Sequence, residues 1–170
     1  LIGRVPFRER SPMTLKSPHD LLIHELKELH SAERQIARAV PRLSKAISSD
    51  RLGVMLEGRR EEGLQIIEGI DDALEQLDAT KAPQKNAAVQ TMLDDAHQRA
   101  QQITEASLRD AALLASFQKI EQYCLASWRV AAAWARLLEQ PKLAAALERA
   151  CEHGTDYARA LSTLADGEVN

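Results

Sequence analysis

The chain has 170 residues, of which 45% are hydrophobic and 28% charged, and its formal net charge is −3. This length suffices for one domain with a buried core, while the small acidic excess disfavours a nucleic-acid partner. No apolar run approaches the roughly 18 residues of a membrane span, and no apolar signal segment follows the N-terminal arginines. We therefore expect a cytoplasmic protein without a nucleic-acid or membrane partner.

The composition favours helix over strand along almost the whole chain. Only 7 Gly and 6 Pro are present, and the good helix formers Ala, Leu, Glu, Arg and Gln dominate. Residues 1–12 show no periodic pattern and precede Met13, so we expect an irregular N-terminal extension there, either native or added. The prediction is one all-α domain over residues 13–170.

The first helix is predicted to begin at Pro18, because Ser17 can cap it and Asp20 lies in its first turn. It should end near Ala46, and the tail of the chain from Ala165 should fray. Four later segments carry apolar residues at helical spacing; they are residues 52–77, 87–102, 105–138 and 143–164. Two long antiparallel hairpins, joined by a crossover that carries a short extra helix, predict a ferritin-like four-helix bundle.

Acidic residues interrupt the apolar stripes of these predicted helices. Glu33 occupies the centre of the first stripe, where a leucine is expected, and Glu121 lies within the stripe of residues 105–138. In the second helix Glu62 lies at the edge of the stripe, one turn from Arg59, which is nearer its centre. When the first two helices fold together as an antiparallel pair, Glu33 and Glu62 are offset along the helix axes by about four residues, or ~6 Å.

Carboxylates that project inward from facing helices are the ligands of di-iron and di-manganese bundles. The metal ions offset the cost of burying several negative charges in such proteins. A single glutamate in an apolar stripe is more often a structural residue that has a polar partner. The pattern therefore leaves both a metal site and a structural cluster open.

Three segments of the chain resemble the YciE/YciF family of bacterial ferritin-like, stress-associated proteins, whose biochemical function is unknown. They are LLIHELKELHSAERQIARAVPRLSKAISS, RDAALLASFQKIEQYCLASW and LSTLADGEVN. The resemblance covers about residues 14–170, with the helices in the same order. It implies a helical dimer with a candidate metal site.

The family's motifs map onto three stretches of this chain. Its SAE motif matches residues 31–33, HLEET matches residues 59–63, and KVEHYE matches residues 119–124. Carried over in this way, the resemblance implies that Glu33, Glu62 and Glu121 are the candidate metal ligands.

At four positions the chain departs from the family pattern. Arg59 stands where the family usually has histidine, and Cys124 stands where it has a second acid. In the last helix Gly154 and Ala158 occupy positions at which family members tend to place acids. These departures remove ligands from the site that the resemblance implies.

Arginine cannot ligate a cation, but its five donors can bridge buried carboxylates. We therefore interpret the site as degenerate, with Arg59 as the ion-pair partner of the three glutamates and with no cofactor. The alternative is an iron or manganese protein with iron-binding or oxidase activity, which would recruit His30 or His153 as an extra ligand. The sequence does not decide between an enzyme and a protein without catalytic activity, although the departures favour the latter.

The function that this interpretation predicts is that of a stress-associated helical-bundle protein acting through assembly, as a homodimer. The family resemblance implies the dimer. Apolar residues beside the main stripe of residues 105–138 also favour it, because they exceed what one bundle obviously covers; they are Leu114, Leu125, Ala132 and Trp134.

Overall fold

The computed structural model describes residues 15–81 and 84–168, and within these ranges the chain is all-α. The described residues form five α-helices, which are α1 (Pro18–Leu43), α2 (Asp50–Gln76), α3 (Ala87–Gln102), α4 (Ala106–Leu137) and α5 (Pro141–Glu168). The prediction of an all-α chain is thereby confirmed. The predicted extension over residues 1–12 lies outside the described residues. No helix in the described ranges is long and apolar enough to cross a membrane.

Side-chain caps set the start of the first three helices. Ser17 and Ser49 accept hydrogen bonds from backbone N–H groups in the first turns of α1 and α2, and Asn86 does the same for α3. Each cap satisfies a donor that has no partner within its own helix. Because these caps lie in the local sequence, the helix starts could be predicted from it.

Two predicted helix ends are wrong. The first helix was expected to reach Ala46, but α1 ends at Leu43 and a single 3₁₀ turn, Ser44–Ala46, follows it. The tail from Ala165 was expected to fray, yet α5 continues to Glu168. Ala165 packs partly buried against the core, so tertiary contact extends this helix beyond what its own sequence favours.

The hairpin helices α2 and α4 end in the same way. The residue after each C-cap, Asp78 or Glu139, adopts a positive φ of 51° or 54°. The next N–H then reaches back five residues, from Ala79 to the Leu74 carbonyl and from Gln140 to the Ala135 carbonyl. This closing motif satisfies the last carbonyls of the helix and turns the chain into the next segment.

The central pair of the fold is α1 and α4, which pack on each other. Helix α2 folds back on α1, α5 folds back on α4, and α3 lies against both α1 and α4. Helices α2 and α5 touch each other only sparsely. The core is aliphatic for the most part, and its fully buried side chains include Leu22, Leu26, Leu29, Ile36, Leu52, Leu56, Leu113 and Ile120.

Asn86 fixes the start of α3 on the central pair. Its backbone N–H donates to Ser31 Oγ at 2.9 Å, and its Nδ2 donates to the hydroxyl of Tyr123 at 3.0 Å and to the Glu28 carbonyl at 3.3 Å. Helix α3 is only half as long as α4 and begins level with Tyr123. Beyond Tyr123, α3 therefore no longer covers the face of α4 against which it packs.

The uncovered face of α4 carries a short apolar stripe, which we name the α4 stripe: Val130, Trp134 and Leu137. Val130 and Leu137 are 42% and 62% exposed, and Trp134 is partly buried. Three of the residues cited above for a dimer, namely Leu114, Leu125 and Ala132, are instead buried within the chain itself. Their apolar surface is covered by neighbouring helices, so it gives no argument for a dimer.

Candidate functional site

A buried ion cluster joins three helices in the interior. Arg59 of α2 lies between Glu33 of α1 and Glu121 of α4. Its Nη1 and Nη2 donate to the two carboxylate oxygens of Glu33 at 2.8 and 2.9 Å, and its Nε donates to Glu121 Oε2 at 2.8 Å. The three side chains are at most 5% exposed.

Small residues make room for this cluster. A Cβ added at Gly63 of α2 would lie 2.9 Å from Glu33 Oε2 and 3.1 Å from Arg59 Nη1. A Cβ added at Gly154 of α5 would lie 3.1 Å from Glu121 Oε1 and 2.9 Å from Leu125 Cδ2. Both glycines therefore let a helix backbone approach the charged groups closely. Gly63 was not singled out from the sequence, because only the folded geometry places it against the cluster.

The cluster carries two carboxylates and one guanidinium. Burial alone lowers the pKa of Arg59, but the adjacent charges of Glu33 and Glu121 outweigh it and raise that pKa well above its usual value. Burial raises the pKa of Glu121, and the charge and hydrogen bond of Arg59 oppose this effect without cancelling it. The fold therefore disfavours the charged form of Glu121.

Two further side chains near the cluster are held neutral. Cys124 of α4 is fully buried, and burial raises the pKa of its thiol. The hydroxyl of Tyr157 in α5 is buried without a hydrogen-bond partner among the described residues, and burial again raises its pKa. No signal in the sequence indicates that this hydroxyl is unpartnered.

The other predicted site residues lie outside the cluster. Glu62 is at its edge, 30% exposed, with Oε1 at 3.5 Å from Nδ1 of His153, which is itself 70% exposed. His30 lies instead with its Nε2 at 3.2 Å from Asp71 Oδ1, and burial lowers its pKa. The structure thus brings together Glu33, Arg59 and Glu121, and it separates His30 from them.

With Arg59 in this position, the residues present do not fit a metal ion. Both oxygens of Glu33 and one oxygen of Glu121 already accept hydrogen bonds from the guanidinium. Gly154 and Ala158 of α5 supply no ligand atom from their side chains. Across residues 15–81 and 84–168, no three His, Cys, Asp or Glu side chains are grouped so as to hold a metal ion.

The chain is similar to known proteins over nearly all of its length. The family described as domain of unknown function DUF892 matches residues 17–170. Protein YciF of Escherichia coli K12 is 32% identical over 159 residues, which cover 93% of this chain and 96% of that protein. The resemblance drawn from the sequence is thereby confirmed.

Two solved structures match the fold. The crystal structure of the E. coli stress protein YciF gives a TM-score of 0.87 at 31% identity, covering 92% of this chain and 99% of that one. YcfI, described as a putative structural protein from Rhodopseudomonas palustris, gives a TM-score of 0.84 at 25% identity. This match covers 89% of the present chain and 96% of the YcfI chain.

The first prediction concerns the cost of breaking the cluster. Glu33→Leu should lower the free energy of unfolding by about 3 kcal/mol, because Arg59 then loses its bidentate partner while it stays buried. The control replaces the whole cluster by apolar side chains, as Glu33→Leu, Arg59→Met and Glu121→Leu together, and should recover much of that loss. Chemical denaturation of the three proteins measures both values; an unchanged stability in Glu33→Leu would contradict the ion-pair account.

The second prediction uses the raised pKa of Glu121. A raised pKa in the folded state favours folding below the ordinary value of 4.5 and loses this contribution as the pH rises through the folded pKa. Glu121→Gln has no titratable carboxyl group at this position. The wild type should therefore lose stability relative to this variant as the pH rises from about 4 to 7. Denaturation at several pH values measures the difference, and the opposite trend would show that Arg59 outweighs burial.

Proposed function

The chain belongs to the DUF892 family, and we propose that it is a stress-associated structural protein that acts through assembly and not through catalysis. The observation that carries this proposal is the placement of Arg59 between Glu33 and Glu121, where a metal bound by facing helices would otherwise lie. The names of its relatives, stress protein and putative structural protein, are consistent with such a role.

The proposal includes a ferritin-like four-helix bundle made of α1, α2, α4 and α5, with α3 in the crossover. Its support is the packing of each hairpin on itself and of α1 on α4. Carboxylates from α1 and α4 project into the interior between these helices, which is where bundles of this kind hold their metal ions. Helix α5 contributes Gly154 and Ala158 at the corresponding positions and so completes the packing without adding a ligand.

In this proposal Arg59 serves as the permanent counter-ion of the degenerate site. A metal ion offsets the repulsion between buried carboxylates only while it is bound, whereas a guanidinium is covalently part of the chain and stays charged. The interior is then stable without any cofactor. The thiol of Cys124 and the phenol of Tyr157, which lie near the cluster, are held in their neutral and less reactive forms.

We further propose that assembly proceeds through the α4 stripe as a symmetric homodimer. Val130, Trp134 and Leu137 follow each other at spacings of four and three residues, which places them on one face of the helix. This face lies beyond the start of α3, and the described residues leave Val130 and Leu137 exposed and Trp134 only partly buried. A second copy of α4 packed across a two-fold axis would bury the same three side chains from both subunits.

The third prediction concerns metal content. Protein purified without a histidine tag and incubated with ferrous or manganous ions should retain no stoichiometric metal in elemental analysis. Arg59→His removes the fixed charge and supplies a nitrogen ligand, so this variant should gain weak binding of one divalent ion, seen as a metal-dependent rise in melting temperature. Arg60→His is the matched control, because Arg60 binds Glu57 outside the cluster.

The result that would contradict the degenerate site is tight binding by the wild type. About two iron or manganese ions per chain, as in di-metal carboxylate bundles, would favour the alternative of an iron-binding protein or oxidase. An equal gain in metal binding by Arg59→His and Arg60→His would show that the binding does not depend on the position of the histidine within the cluster.

The fourth prediction concerns the dimer. Leu137→Glu places two like charges next to each other across the proposed two-fold axis, so it should convert the dimer into a monomer in light scattering at micromolar concentration. Leu108→Glu is the control, since Leu108 is also on α4 and 58% exposed but lies at the other end of the helix. A wild type that is monomeric, or equal effects of the two changes, would reject the α4 stripe as the interface.

A further inference from the structure

A cavity lies on the outer side of α1, away from the ion cluster. It has a volume of about 510 Å³ and lies between α1 and the segment that leads into α3. Its walls carry three cationic side chains, Arg34, Arg38 and Lys85, together with the amides of Gln35, Gln84 and Gln90. We name this space the α1 cavity.

The charge of the α1 cavity is opposite to that of the chain. Its lining contains three fixed positive charges and no carboxylate, although the formal net charge of the protein is −3. Among the described residues, no side-chain ion pair or hydrogen bond engages Arg34, Arg38 or Lys85. Carboxylates next to the lining are engaged: Glu28 and Asp94 accept from the amides of Gln84 and Gln90, and Asp71 is paired with His30.

One polar atom in the wall of the cavity has no partner. Gln35 Nε2 donates to Ser31 Oγ at 3.3 Å, but Gln35 Oε1 is buried without a hydrogen bond to any described residue. Ser31 is held by the N–H of Asn86 at the start of α3, so this part of the wall is fixed in place. This oxygen is out of contact with solvent, so the groups that a ligand in the cavity could reach are the exposed cationic side chains.

We propose that the α1 cavity binds a small soluble molecule that carries phosphate groups. Guanidinium groups match phosphate geometry and form charge-assisted hydrogen bonds with it, and Arg34 and Arg38, which are four residues apart, lie on the same side of α1. The volume is within the range of small-molecule sites, about 300–1,000 Å³. The lining excludes a divalent cation, which three positive charges would repel.

This proposal does not depend on the absence of a metal in the interior. The cluster of Glu33, Arg59 and Glu121 faces the helical core, whereas Arg34 and Arg38 are exposed. Changes in the α1 cavity should therefore leave the stability of the cluster unaffected, and the two proposals can fail separately.

Inorganic pyrophosphate is the probe for the test, with sodium chloride at the same ionic strength as the reference. Pyrophosphate should raise the melting temperature of the wild type, and isothermal titration should give saturable binding near one per chain. In NMR spectra the side-chain amide signals of Gln35 and Gln84 should shift with the same saturation. No effect beyond that of sodium chloride would overturn the proposal.

The variant that tests the site is Arg34→Gln with Arg38→Gln. Because both side chains are exposed, the double variant should fold as the wild type does, which circular dichroism checks. Loss of two charge-assisted hydrogen bonds should weaken pyrophosphate binding at least about tenfold. The charge-matched control is Arg51→Gln with Arg149→Gln, on exposed positions of α2 and α5, and it should bind as the wild type does.

Two outcomes would reject the α1 cavity as the binding site for a soluble phosphate compound, one from the variants and one from lipid vesicles. Equal weakening in the double variant and its control would indicate attraction to total charge, not to this cavity. Binding to vesicles that contain phosphatidic acid, without binding of soluble pyrophosphate, would instead indicate a membrane-facing basic surface. Retained binding in Lys85→Gln alone would leave the two arginines as the main anchors and agree with the proposal.

Discussion

The interior of this protein depends on one guanidinium. Arg59 is the only positive charge in a buried cluster with two carboxylates, and each of its three hydrogen bonds to them is 2.8–2.9 Å long. Desolvation makes such a cluster weak as a source of stability, but removing one member leaves an uncompensated buried charge. The three helices that supply the members must therefore align in one register. The cluster specifies how α1, α2 and α4 meet, while the aliphatic core supplies most of the energy of folding.

The surroundings of the cluster follow from this constraint. Helix α2 can bring Arg59 against Glu33 because Gly63 has no side chain to intervene, and α5 can pass Glu121 because Gly154 has none. Helix α5 supplies space to the cluster but no charged partner, so its position depends on packing against α4. The contact between Glu62 and His153 at 3.5 Å connects α2 and α5 only at the surface.

The sequence predicted the helices well because their signals are local. Capping residues and apolar spacing identify the starts of α1, α2 and α3 within a few residues. Helical spacing also predicted the burial of Glu33 and Glu121. The sequence also suggested Arg59 as partner of the three glutamates, but it could not predict that Arg59 bonds Glu33 and Glu121 and leaves Glu62 at the edge. This selection depends on the distance and rotation between three helices. The width of an apolar stripe could not reveal which part of α4 is covered by other helices. Three of the four residues first cited for a dimer are therefore buried within the chain, namely Leu114, Leu125 and Ala132.

The helix α1 separates two electrostatic environments that are adjacent in sequence. Glu33 faces the core and is neutralised there by Arg59, whereas Arg34 is the next residue and faces solvent without an ionic partner among the described residues. Successive residues of a helix point about 100° apart. One turn of α1 can therefore contribute Glu33 to the interior cluster and Arg34 to the α1 cavity. In the interior cluster, Arg59 occupies both oxygens of Glu33 and one oxygen of Glu121. The guanidinium groups of Arg34 and Arg38, which have no partner among the described residues, lie on the outer side of α1 instead. That is the side on which we propose that a ligand binds.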